Sequence, residues 1–231
     1  EHKKLWGKGH PHMSTIPIII TLDGNIGAGK STLLEHLDKT LKNVLVVLEP
    51  VSQWMTLADE RGETMLSLFY KDMNRWSYLF QNCALLTPMM ETTRIIEEWK
   101  AMEPAARPAY IITERSLLTD RFVFAEMLHN EGKMTELEWQ VYLKWFTYYD
   151  KLFPISGIIH LATTPELSHE RIGIRSRPGE ETINIEYIKR LGEQHDKWVA
   201  STSLPVCQLT PEMSIETICG KINSFLEIVA K

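Results

Sequence analysis

Short runs of β-branched and aliphatic residues recur along the chain, separated by longer stretches whose apolar positions return every three or four residues. The runs at 16–23, 44–48, 109–113, 157–162 and 206–209 are rich in Ile, Val and Leu and too short for helices, so they predict β-strands. Helical spacing marks the stretches at 30–42, 57–70, 75–100, 117–129, 135–152, 165–175, 184–201 and 215–229. Strand and helix therefore alternate, which predicts βαβ units. The expected fold class is α/β, a doubly wound, five-stranded parallel sheet flanked by helices. No internal repeat or low-complexity linker interrupts the pattern, and 103–108, rich in Pro and Ala, predicts a loop.

The first predicted strand runs straight into Gly24, Asn25, Ile26, Gly27, Ala28, Gly29, Lys30, Ser31 and Thr32. This is G-x-x-x-x-G-K-[ST] in its strand-to-helix setting, so a P-loop kinase fold is expected. Glycines let the backbone turn tightly enough to aim successive N–H groups at phosphate oxygens, and the following helix adds the positive end of its dipole. Lys30 is expected to reach the β and γ phosphates, and the Ser31 hydroxyl to ligate Mg²⁺. ATP and Mg²⁺ are thus implied. The acceptor of the phosphoryl group is not given by this loop.

Length and charge narrow the classes. With 231 residues and 44% hydrophobic content, the chain suits one domain over 14–231, carrying a small lid at about 171–182. A net charge of -5 argues against a broad surface for nucleic acid, which needs many Lys and Arg to neutralise phosphates. The longest apolar run, around 18–22, is far short of a membrane span, so a soluble protein with no membrane partner is expected. Cys83, Cys207 and Cys219 show no metal-ligand spacing, and an odd count reads as a reduced intracellular protein, cytoplasmic ahead of nuclear or mitochondrial. Residues 1–13 lack the apolar core of a secretory signal and read as an expression leader or a loose arm.

Further motifs stand near the ends of the predicted strands. Glu49-Pro50-Val51-Ser52-Gln53-Trp54 follows the second, and a stretch from Phe69-Tyr70 to Phe80-Gln81 opens the longest helix. The third ends in Glu114-Arg115-Ser116, with Asp120-Arg121-Phe122 beyond it. Arg171, Arg175 and Arg177 form the densest basic cluster of an acidic chain, ahead of Glu180 and Asn184-Ile185-Glu186-Tyr187. In this order and spacing the set resembles the deoxyribonucleoside kinase family over roughly 16–198.

The resemblance implies phosphoryl transfer from ATP to the 5′-hydroxyl of a deoxyribonucleoside, and a homodimer. It makes Glu49 the general base, Arg115 a contact near the reacting 5′ oxygen, and Glu114 a Mg²⁺-associated carboxylate. It puts Tyr70 and Glu180 on the sugar 3′-hydroxyl. Gln81, Ala84, Leu85 and Pro88 share a helix face that looks like a base-reading wall, with Trp54 and Phe80 supplying apolar surface. Thr164 as N-cap and Pro165 at the first position start a helix that sets Arg171 and Arg175 on one face, a lid over ATP.

One departure concerns the base. Cytidine- and guanosine-preferring members of the family pair an Arg on the base-reading helix with the Asp matching Asp120, and here the helix position is Pro88. Asp120 then turns to Arg94, to Arg121, or directly to an exocyclic amino group of the substrate. Amino-bearing bases are expected over thymidine, with Ala84 and Pro88 leaving room for a purine. A thymidylate-type kinase, the rival enzyme, carries an Arg where Leu48 stands; a GTPase switch would need an NKxD motif, which is absent.

Overall fold

The computed structural model describes residues 16–231; the expected leader at 1–13 lies outside them. The elements run β1 (Ile18–Asp23), α1 (Lys30–Thr40), β2 (Val44–Val47), α2 (Val51–Thr56), α3 (Met65–Lys71), α4 (Met73–Ala101), β3 (Tyr110–Glu114) and α5 (Leu117–Thr119). A π-helical turn (Asp120–Ala125) leads into α6 (Glu126–Asn130), followed by α7 (Glu136–Asp150), β4 (Ile155–Leu161), α8 (Pro165–Arg175), α9 (Ile185–Ser201), β5 (Val206–Leu209) and α10 (Ile215–Val229). The five strands form one sheet in the order β2-β3-β1-β4-β5, every pairing parallel. β1 is central, so the loop at its carboxyl end opens where ligands of such sheets bind.

Alternation along the strands explains the layering. On β1, Ile19 faces a core built with α4 and α7, while Ile20 and Leu22 face a second core under α1 and α10. Ile111 and Ile112 of β3 divide the same way. Successive side chains of a strand point to opposite faces, so a sheet buried on both sides carries apolar residues at most positions of its strands. A third cluster, with Val123, Ile188 and Leu191, fastens α9 to the π-helical turn.

Five strands and the helices at 165–175 and 215–229 stand where expected, within two residues at their ends. The expected helix at 57–70 does not form as one piece. Only its second half is helical, in α3; α2 already ends at Thr56, and 57–64 form a turn closed by a bridge between Ala58 and Thr64. Asp59 Oδ1 accepts from the N–H of Arg61 and of Glu63 at 2.9 Å each, and Thr64 caps α3 by accepting from Ser67 N. Those side-chain bonds compete with the helix ladder and win. The expected loop at 103–108 contains a 3₁₀ turn, Pro104–Ala106. Among the described residues no helix is long and apolar enough to cross a membrane.

Candidate active site

At the end of β1 the chain turns through Gly24, Gly27 and Gly29, all with positive φ, into the start of α1. Gly27 shows why glycine is required: a Cβ there would lie 2.3 Å from the carbonyl oxygen of Ser168 on α8. The Lys30 ammonium is buried and donates to the carbonyls of Gly24 at 3.1 Å and Asn25 at 2.9 Å. Burial, and then the neighbouring Arg115, push its pKa down to about 7, against the pull of Glu114 and Glu49. Asn25 faces inward and ties the loop to α9 through a bond to Ile188 O at 2.8 Å. Ser31 Oγ donates to Glu114 Oε1 at 2.8 Å, so a hydroxyl and a carboxylate sit side by side at the loop.

Glu49 follows β2 and Arg115 follows β3, neighbours in the sheet. Arg115 Nη1 donates to both Glu49 oxygens, at 2.8 and 2.7 Å. The backbone of Arg115 takes φ 60, rare without glycine, and the Phe124 ring lies 5.0 Å beneath its guanidinium. Burial opposes the Arg115 charge, but Glu49 and Glu114 outweigh it, so its pKa is raised. Strain of this kind persists where the surrounding structure holds it, commonly at functional sites.

On the lid, Thr164 and Pro165 start α8 as expected, the Thr164 side chain accepting from Leu167 N. Arg171 Nη1 donates to Ala28 O at 2.9 Å, reaching the phosphate loop. Arg175 and Arg177 converge instead on Glu180, at 2.6 and 3.1 Å, and Glu180 is only 4% exposed. Tyr70 lies close by: burial, then Tyr187 and Glu180, raise its hydroxyl well above the ordinary range.

One cleft of about 930 Å³ joins these groups. Ile26 to Thr32, Glu49, Glu114, Arg115, Arg171, Arg175, Arg177, Glu180, Tyr70, Trp54, Phe80 and Ala84 all line it. Gly24 and Asn25 sit behind the loop, and Gln81 and Asp120 are buried outside the lining. Trp54 donates its Nε1–H to Thr87 Oγ1 at 2.9 Å and packs edge-on against Phe80. Phe80 in turn stacks on Phe69 at 4.3 Å. Gln81 is 1% exposed, and its Oε1 has no hydrogen-bond partner among the described residues.

Of the alternatives for Asp120, the two arginines fall away. Neither arginine reaches it: Arg94 is spent on Glu91 and Glu98 at the surface, and Arg121 pairs with Glu126 at 2.5 Å. Its partner is the Tyr142 hydroxyl of α7, which donates to Oδ2 at 2.6 Å. The helix register brings the two together across 22 residues of sequence, a distance at which spacing carries no signal. Sequence reasoning also passed over Phe69, Phe124 and Tyr187, which line the cleft. Phe69 and Tyr187 stand inside the motifs quoted above, whereas Tyr142 sits in an ordinary amphipathic stretch.

Among the described residues no cluster of three or more His, Cys, Asp or Glu could hold a metal alone. A Ser hydroxyl beside a carboxylate nevertheless suits Mg²⁺, which takes few protein oxygens and completes its shell with phosphates and water. Comparison with known proteins gives the family. The sequence profile of the deoxynucleoside kinase family matches residues 20–229. A probable deoxycytidine kinase of fowlpox virus is 36% identical over 187 residues, covering 80% of this chain and 72% of its own. Deoxycytidine kinase of Rattus norvegicus is 32% identical over 201 residues, covering 80% and 76%. A mitochondrial deoxyguanosine kinase of Xenopus laevis is 30% identical over 203 residues, covering 81% and 75%.

Proposed function

The chain belongs to the deoxynucleoside kinase family and phosphorylates deoxyribonucleosides with ATP, and from that premise we propose that Glu49 is the general base of the transfer. The 5′-hydroxyl oxygen bonds to the γ-phosphorus, the bond from that phosphorus to the bridging oxygen breaks, and the hydroxyl proton passes to Glu49. Products are the 5′-monophosphate and ADP. The observation that carries this reading is the two-bond grip of Arg115 on Glu49, in the same cleft as Lys30 and Ser31. That grip fixes the carboxylate and leaves Arg115 beside the reacting oxygen. Lys30 meets charge on the β and γ phosphates, and Arg171, Arg175 and Arg177 close over the transferred group and exclude water. Ser31 and Glu114 would hold Mg²⁺, which when bound neutralises phosphate charge.

Tyr70 and Glu180, together at the lid, take the 3′-hydroxyl. Trp54, Phe80 and Ala84 wall the base, and Gln81 reads its edge. The unpartnered Gln81 amide can satisfy either a pyrimidine or a purine edge, so the choice passes to Asp120, which when ionised offers only acceptors; bases with an exocyclic amino group then fit better than thymidine. Leu48, exposed at the cleft, offers no charge for an acceptor phosphate. Labelled ATP given with separate pools of deoxynucleosides and their monophosphates tests the reading. Label should enter deoxynucleosides, amino-bearing ones ahead of thymidine; label entering monophosphates alone would overturn it.

The assembly is a homodimer, through α4 and α7. These adjacent helices leave Leu79, Met90, Trp145 and Tyr148 exposed. Light scattering should give twice the mass of the chain. Three free cysteines and the need for ATP support a reaction inside the cell.

A further inference from the structure

We propose that Tyr142 is a specificity-positioning residue, whose hydroxyl keeps Asp120 a hydrogen-bond acceptor towards the base and so directs the enzyme to amino-bearing nucleosides. The inference rests on the base reading above and deepens it. Tyr142 is fully buried on α7 and does not line the reaction cleft. Its ring is fixed: it stacks on Trp139 at 5.6 Å and 8°, and Trp139 stacks on His129 at 4.6 Å and 5°. The Arg121 guanidinium lies on the same Trp139 ring at 4.4 Å. A hydroxyl on so constrained a ring has one place to point, Asp120 Oδ2 at 2.6 Å.

The direction of that bond is set by the two groups. Burial, and then the charge of Asp120, raise the Tyr142 hydroxyl well above its ordinary range, so it keeps its proton and donates. Oδ1 is left for another donor. It belongs to a residue bordering a small cavity of about 30 Å³, which Ala84, Pro88 and Glu49 also border. The other neighbours do not replace Tyr142. From α4 come only Ala84, Leu85, Pro88 and Met89; from the strand ends Glu49, Glu114 and Arg115, which holds Glu49; beyond them Leu117 and Ser116, whose hydroxyl is bonded to Thr119; and Arg121, next in sequence, is taken by Glu126. Burial raises Asp120 to about 7, with Glu49 adding to the rise, while the Tyr142 bond and Arg115 hold it down.

Without the hydroxyl, the carboxyl would keep its proton and offer a donor. A protonated Asp120 suits a base carbonyl, such as that of thymidine, and leaves an amino group unpaired. One oxygen atom on α7 thus decides which kind of bond the pocket offers.

The test is kcat/KM for deoxycytidine, deoxyadenosine and thymidine from pH 6 to 9, on wild-type enzyme and on Tyr142→Phe. For wild type, the preference for amino-bearing bases should grow as pH rises through about 7. In Tyr142→Phe that growth should move up by roughly a pH unit, and the preference near pH 7.5 should fall about tenfold, the worth of one bond to a charged group. Thymidine should be used as well as before or better. Trp139→Phe keeps the hydroxyl but loosens its ring, and should shift the profile the same way by less; it serves if Tyr142→Phe does not fold. An unchanged ratio and pH profile in the folded variants would overturn the role of Tyr142, with the base reading left standing if Asp120→Asn does move the ratio. Wild-type enzyme that favours thymidine at every pH would overturn both.

Discussion

The two halves of the cleft are built in opposite ways. The proposed donor half is nine consecutive residues, Gly24 to Thr32, a type of loop that binds phosphate mainly through its backbone. The proposed acceptor half gathers Glu49, Trp54, Tyr70, Phe80, Arg115 and Glu180 from the ends of β2 and β3, from α2, α3 and α4 and from the turn after α8, with Asp120 of the π-helical turn buried outside the lining. A contiguous loop holds its shape wherever a strand meets a helix, and so serves any acceptor. A dispersed site changes its ligand through single side chains, and its precision depends on pairs such as Arg115 with Glu49. Chemistry is thus fixed on one side and selectivity adjustable on the other.

The largest expected effect falls on the donor half. Lys30→Ala should lower turnover by about 10³ or more, because charge growing on the leaving phosphates loses its buried counter-ion. Thermal melting should show the protein still folded. An active Lys30→Ala enzyme would remove the phosphate loop from the mechanism.

On the acceptor side, Glu49→Gln keeps shape and hydrogen bonding but cannot take the proton. Turnover should drop about 10² or more with nucleoside KM little changed, measured by steady-state kinetics. Near-normal turnover would assign the base elsewhere.

Glu180→Gln probes the join between the halves, since one carboxylate holds two lid arginines beside Tyr70. The expected loss in kcat/KM for the nucleoside is about 10- to 100-fold, with weaker discrimination against a 3′-deoxy analogue. If discrimination is intact, Glu180 organises the lid and does not touch the sugar.

The smallest effect concerns stability. The Asp120 pKa rises from 3.8 to about 7 on folding, chiefly through burial. Between those values the folded protein keeps a proton that the unfolded chain has released, so stability must fall as pH rises through that window. Asp120→Asn has no such proton, and its melting temperature should lose this downward component. Equal slopes for the two proteins would mean that Asp120 is ionised in the fold at low pH.

Much of the fold was legible because its causes are local. Alternating apolar runs marked all five strands, Thr164 with Pro165 marked the start of α8, and Gly24 to Thr32 marked the loop. In each case the interacting atoms lie within a few residues of one another. Even so, the turn between α2 and α3 escaped, because Asp59 and Thr64 hold their own backbone against a helical apolar pattern.

By itself, then, the sequence determined the sheet, the phosphate loop, the family and the residue types available for chemistry. Only the tertiary structure decided which of them meet. Ser31 reaches Glu114 across 83 residues, Arg115 reaches Glu49 across 66, and Asn25 reaches Ile188 across 163. Tyr142, not an arginine, became the partner of Asp120, because α7 packs its buried face beside the π-helical turn while Arg94 and Arg121 find carboxylates closer to hand. A buried carboxyl takes whichever donor the packing brings within reach, and that is a property of the assembled core, not of the spacing along the chain.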